Sequence, residues 1–112
     1  MGLVVCRGIL GRLAPEIIAF PMTVARRFIV KGRVQGVGFR YFAIRAAADC
    51  DVKGYVRNLA DGSVEAVAEG SAKAVENFKK ELSKGPSFSR VSEVNEFDIP
   101  TSGRYSRFDV EY

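Results

Sequence analysis

The sequence predicts an α+β fold in which two helices lie on one face of an antiparallel sheet. Three observations carry this. The residue period switches between two and 3.6 along the chain, in the order strand, helix, strand, strand, helix, strand. The middle strands meet at Ala60-Asp61-Gly62, and Asp-Gly between alternating segments is the strongest short-range hairpin signal. Each helical segment carries its apolar residues in one stripe, so each has one face to bury.

In residues 26–33, Phe28 and Val30 face one way and Arg27, Ile29 and Lys31 the other, which makes a strand. Gly32, Gly36 and Gly38 fall within seven positions and mark a tight loop. Helical spacing then begins: Phe39, Phe42, Ala43, Ala46, Ala47 and Cys50 share a face, and the alanines favour the helix. Asp51 and Lys53-Gly54 end it. Tyr55–Leu59 is the second strand. Ser63–Glu69 is the third, with Val64, Ala66 and Ala68 set against Glu65, Val67 and Glu69.

Ser71 is the expected N-cap of a second helix with Val75, Phe78 and Leu82 as its core stripe. Glu76 and Lys80 form an i,i+4 pair, Lys79, Lys80 and Lys84 suit the negative end, and Gly85-Pro86 stops the helix. Phe88–Ile99 reads as a bulged fourth strand, Pro100–Gly103 as a turn and Phe108–Tyr112 as a short last strand. Phe39, Phe42, Phe78, Phe88, Phe97 and Phe108 are expected in the core. This order is the split βαβ, or ferredoxin-like, plan (βαββαβ) with an extra C-terminal strand. Many functions use it, so the fold alone says little about chemistry.

Composition narrows the function. Seventeen Lys and Arg against thirteen Asp and Glu give a net charge of +4, spread along the chain without a polybasic tail. That suits a soluble surface with a modest attraction for small anions, and is weak support for nucleic acid. The chain has no histidine, which removes the commonest general base and the commonest metal ligand, so any chemistry must run on other groups. Cys6 and Cys50 form no CxxC and no disulfide framework, which points to a reducing, cytoplasmic setting. Six residues separate Cys50 from Arg57, so the Cys-x5-Arg spacing of a cysteine phosphatase is absent, and Cys50 reads as a small buried hydrophobe. Asp49-Cys50-Asp51 closes a helix rather than following a strand, so it is a turn signal.

Residues 1–21 do not match the rest. Their apolar runs are broken by Arg7, Arg12, Pro15 and Glu16, too short to span a membrane and unlike a secretory signal. The expected division is an extension or non-native start over 1–21, poorly ordered, and a domain over 22–112 starting at Met22. No long apolar patch lies outside the periodic faces, so a monomer is expected.

Candidate chemistry sits where the first strand meets the first helix. In Gly32-Arg33-Val34-Gln35-Gly36-Val37-Gly38-Phe39-Arg40 the glycines let successive backbone N–H groups converge at a helix N-terminus, an arrangement that binds phosphate. Arg40, in the first helical turn, can close on the same anion with a bidentate guanidinium. By itself this stretch fits a tight strand–helix connection equally well. No Gly-Lys-Ser/Thr follows, so it is not a P-loop.

The second segment is Gly54-Tyr55-Val56-Arg57-Asn58-Leu59-Ala60-Asp61-Gly62-Ser63-Val64-Glu65. Together, VKGRVQGVGFR (30–40) and GYVRNLADGSVE (54–65) resemble the paired signature of the acylphosphatase family, and the likeness extends over residues 26–112. The resemblance implies an enzyme that splits the carboxyl–phosphate bond of small acyl phosphates without metal or cofactor, with inorganic phosphate or sulfate as a competing anion. It implies substrate binding by Gln35, Gly36, Val37, Gly38, Phe39 and Arg40, through the backbone and the Arg40 side chain. The implied catalytic residues are Arg40, which holds the phosphate, and Asn58, which holds the attacking water. No nucleic acid or membrane partner is expected. The alternative from another class is a non-catalytic anion-binding or RNA-binding module on the same fold, although no strand carries the basic–aromatic run of an RNA-binding sheet.

Overall fold

The computed structural model describes residues 23–112. Expectations for residues 1–21 lie outside the described residues. Seven elements follow in order: β1 Thr23–Arg33, α1 Phe39–Cys50, β2 Lys53–Asn58, β3 Val64–Ser71, α2 Ala72–Lys84, β4 Arg90–Ile99 and β5 Phe108–Val110. They form one five-stranded sheet in the order β4-β1-β3-β2-β5. Both helices pack on one face. There Phe28 and Val30 of β1, Val56 of β2 and Val64, Ala66 and Ala68 of β3 meet Phe39, Ala43 and Ala47 of α1 and Val75, Phe78 and Leu82 of α2. Phe78 is central, edge-on to Phe28 at 6.2 Å and to Phe108 at 5.3 Å between ring centroids.

Local signals act as expected at several points. The Ser71 hydroxyl accepts the Ala74 N–H at 3.1 Å and caps α2. Gly85, at φ 70°, ends that helix, and its N–H donates to the Glu81 carbonyl. Asp51 ends α1 in the left-handed region at φ 60°. In the hairpin turn, the Asp61 carboxylate accepts the backbone N–H of Ser63 at 2.9 Å and its hydroxyl at 2.5 Å.

Four expectations need correction. The sheet is mixed rather than antiparallel throughout: β1, β2, β3 and β4 pair antiparallel, but β5 pairs parallel with β2, in the register Gly54↔Phe108 to Val56↔Val110. Residues 100–107 carry the chain from the β4 edge to the opposite edge, and β5 then runs against β4. The fourth strand starts at Arg90, not Phe88, although its bulge is present: Lys31 pairs with Glu93 and Gly32 with Val91, leaving Ser92 as the extra residue. Phe88 sits in the preceding turn and is 81% exposed, and Phe97 lies on the uncovered face of the β4 edge and is 47% exposed, so neither belongs to the core. The Glu76–Lys80 pair is replaced by tertiary contacts: Lys79 reaches Glu96 at 2.7 Å and Glu76 lies 3.8 Å from Arg26.

The face without helices is also covered in part. Ile29, Glu65, Val67 and Glu69 are all buried there. Glu65 is 2% exposed and accepts the Arg27 Nε–H at 2.5 Å and the Arg57 Nε–H at 2.6 Å. Burial pushes the Glu65 carboxyl upward, but the hydrogen bonds and charges of the two arginines outweigh this and hold it below the ordinary carboxylate range. Glu69 catches the crossing segment by accepting the Ser102 N–H at 2.7 Å, the Ser102 hydroxyl at 2.9 Å and the Gly103 N–H at 3.2 Å. Tyr105 packs against Tyr55, with ring centroids 6.1 Å apart.

Candidate active site

The loop between β1 and α1 is anchored at one end by Val34, which is buried. Gly36 and Gly38 then adopt φ of 74° and 79°, left-handed values that favour residues without a side chain. Gly38 is the N-cap of α1 and supplies no side-chain hydrogen bond, and the first helical turn contains no acidic residue. The leading N–H groups of α1 are thus left without a side-chain acceptor, and no carboxylate repels an anion there.

Arg40 projects from that first turn and is half-buried. Among the described residues it has no carboxylate partner, whereas Arg26, Arg27 and Arg57 are each paired. Its guanidinium carbon lies 5.4 Å from the ring centroid of Tyr112. Asn58 is the last residue of β2, half-buried and paired in register with Val64 of β3. Its carboxamide makes no hydrogen bond to another described side chain or backbone group.

Gly36, Gly38, Phe39, Arg40 and Asn58 line one cleft of ≈ 320 Å³. The same fold that buries Phe39 in the core therefore brings together Arg40 and Asn58, which lie on different elements. Two of the expected binding residues are placed differently. Val37 packs on the core and borders a neighbouring groove beside α1. The Gln35 side chain turns to the hairpin and donates from Nε2 to the Leu59 carbonyl at 2.7 Å and the Ser63 carbonyl at 2.8 Å. Only backbone groups of these two residues are left to face an anion.

The cleft also has walls that motif reading did not assign to it: Val34, Tyr41, Ile44, Val110 and Tyr112. Ile44 follows Arg40 by four positions, about one helical turn, so helical spacing was available as a signal for it. Nothing local marks Val110 or Tyr112, because they arrive through the parallel pairing of β5. Cys50 stands apart from this cleft. It is half-buried, and burial first, then the charges of Glu81 and Asp49, push its thiol up. A group that holds its proton is a poor nucleophile.

Over most of the described residues the chain resembles proteins of one family. The profile of the acylphosphatase family matches residues 26–110. A protein of Petrotoga mobilis named acylphosphatase is 46% identical over 89 residues, spanning 80% of this chain and 99% of that one. The crystal structure of an acylphosphatase from Bacillus subtilis superposes with a TM-score of 0.76 at 38% identity, covering 80% of this chain and 99% of that one. An acylphosphatase structure from Coxiella burnetii gives a TM-score of 0.75 at 35% identity, covering 80% and 93%. With the family profile matching residues 26–110 and a 46%-identical relative covered almost end to end, the chain belongs to the acylphosphatase family.

Proposed function

We propose that the cleft hydrolyses small acyl phosphates by in-line attack of an Asn58-held water on a phosphoryl group gripped by Arg40 and the loop N–H groups. That the chain is a hydrolase of acyl phosphates follows from its family; the residue roles are inferred from the cleft. The single observation that carries them is the convergence on one space of the uncapped start of α1, Arg40 and the Asn58 carboxamide, neither side chain being paired among the described residues.

Phosphoryl transfer asks the protein mostly for position and charge stabilisation. Arg40 and the backbone donors neutralise the equatorial oxygens and hold phosphorus still. The Asn58 carboxamide oxygen accepts a hydrogen bond from one O–H of a water and aims the water's oxygen along the line opposite the acyl oxygen. The new P–O bond forms as the bond from phosphorus to the acyl oxygen breaks, and that oxygen leaves with the electron pair as a carboxylate. A carboxylate is a good leaving group, so no strong acid is needed. The water's proton passes to a phosphate oxygen, in keeping with a chain that has no histidine. The apolar and aromatic walls leave room for the acyl group beside the phosphate.

The test is turnover of benzoyl phosphate with inorganic phosphate as inhibitor, in the presence of EDTA. Asn58→Ala is expected to fold, to bind phosphate and to lose about 10² in kcat, the usual effect of misplacing a reacting group by about 1 Å. Arg40→Ala is expected to weaken phosphate inhibition as well, because charge-assisted bonds contribute about 1.5–3 kcal/mol each. Near-parental turnover by Asn58→Ala would remove that residue from the mechanism. Unchanged phosphate inhibition in Arg40→Ala would remove Arg40 from the anion grip.

A further inference from the structure

We propose that Gln35 is a positioning residue: its side chain fixes the phosphate loop relative to Asn58 and so sets the line of attack. The premise is the two-part site described above. The part that would hold phosphate follows β1, and the part that would hold water ends β2. These strands are not neighbours, since β3 lies between them. Val64, at the start of β3, pairs with Val30 on one side and with Asn58 on the other. Without a further tie, the geometry between the two parts would depend on this strand end and on the flexible glycine backbone.

Gln35 supplies the tie. Its Nε2 carries two hydrogens, and each meets a carbonyl of the hairpin, Leu59 O at 2.7 Å and Ser63 O at 2.8 Å. Both partners are acceptors, so the amide has one orientation that satisfies them. Leu59 directly follows Asn58. Its N–H donates to the Ser63 carbonyl at 2.9 Å, and its own carbonyl also accepts the Gly62 N–H at 3.2 Å. Gln35 therefore grips the two carbonyls at the mouth of the turn that begins where Asn58 ends. Among the described residues, these are the only hydrogen bonds that join residues 34–38 to residues 59–63. The side chain is half-buried, which shields the bonds from water.

In-line transfer makes this distance consequential. A misplacement of about 1 Å between reacting groups costs on the order of 10²-fold in rate, even when each group still binds its own partner. The clamp should govern turnover while leaving the grip on phosphate nearly untouched.

The experiment compares the parent with Gln35→Met, which keeps length and bulk but has no donor, and with Gln35→Glu. Benzoyl phosphate turnover and competitive inhibition by inorganic phosphate are measured on the full chain. For Gln35→Met, kcat should fall about 10–100-fold, with the inhibition constant for phosphate shifting less than about 3-fold. For Gln35→Glu at neutral pH, a carboxylate would face two carbonyl oxygens, and kcat should fall at least as far. As pH drops and that carboxyl takes up a proton, its O–H regains one bond, and kcat relative to the parent should recover. This recovery decides the matter if the methionine variant does not fold. The proposal is overturned if Gln35→Met keeps kcat within about twofold of the parent. It is equally overturned if phosphate affinity falls by the same factor as kcat, or if Gln35→Glu shows no acid recovery. Intact turnover in Gln35→Met beside lost turnover in Asn58→Ala would refute the clamp alone. Intact turnover in Asn58→Ala would refute the site.

Discussion

Glu65→Gln tests the least expected part of this fold, a carboxylate buried on the helix-free face. Glu65 sits on β3 and receives Arg27 from β1 and Arg57 from β2, so one side chain joins the three central strands. Two charge-assisted bonds have a gross worth of about 3–6 kcal/mol. The arginine side chains are 38% and 43% exposed, so each recovers water when its partner is weakened, and at least half of the gross figure is discounted. Glutamine also keeps one acceptor oxygen. The net cost is about 1–2 kcal/mol, which lowers Tm by about 5–15 °C for a domain of this size.

Equilibrium urea unfolding, followed by circular dichroism over a series of pH values, is the appropriate assay. The Glu65 carboxyl is held below its ordinary value of 4.5 in the folded state. A depressed folded pKa contributes stability that is fully present above the unfolded value and is lost as pH falls through the folded one. Glutamine does not titrate, so the gap between parent and variant should be open at about pH 7 and narrow steadily below about pH 4.5. Glu69, Glu96 and Asp61 are also held low, but they titrate in both proteins and cancel from the difference. A gap that stays constant into acid, or no gap at neutral pH, would refute the reasoning.

Two further substitutions probe other parts of the molecule. Tyr112→Ala should weaken phosphate inhibition by about 2–5-fold with little change in kcat, because it removes a cation–π contact worth about 0.5–1 kcal/mol from Arg40; an inhibition titration measures this, and an unchanged constant would count against the contact. Ser71→Ala should lower stability by about 1 kcal/mol in urea unfolding, the usual effect of losing an N-cap, without altering turnover.

Much of the fold was legible because its signals are local. The spacing of Phe39, Ala43 and Ala47, the Asp61-Gly62 turn and the Ser71 cap each depend on a few adjacent residues, and the structure follows them. Alternation along β3 set Val64, Ala66 and Ala68 against Glu65, Val67 and Glu69, but it could not show that both faces are covered. The cover on the second face consists of long side chains such as Arg27 and Arg57 and of the crossing segment held by Glu69, none of which is local to β3. Phe88 and Phe97 carry core chemistry in their residue type alone, and tertiary placement leaves them exposed. The direction of β5 depended on which edge it joined, a choice three residues cannot encode. In the cleft, Gly36, Gly38, Arg40 and Asn58 were readable from motifs, while the role of the Gln35 side chain was not. A glutamine beside glycines looks like part of the loop, and only the hairpin folded against it gives its amide a partner.

The two outermost strands of the sheet have a consequence for how this molecule behaves in a crowded solution. Among the described residues, each offers unpaired backbone groups onto which a stray extended chain could add. On one side the offer is only three residues long, Phe108–Val110, too brief for a newcomer to gain a stable register. On the other side ten residues are available, but the extra Ser92 bends the ladder, and Arg90, Glu93 and Asp98 stand outward along it. An incoming strand would meet a kink and a row of hydrated charges before it completed its bonds. Growth beyond five strands is thereby discouraged by brevity at one end and by irregularity and charge at the other.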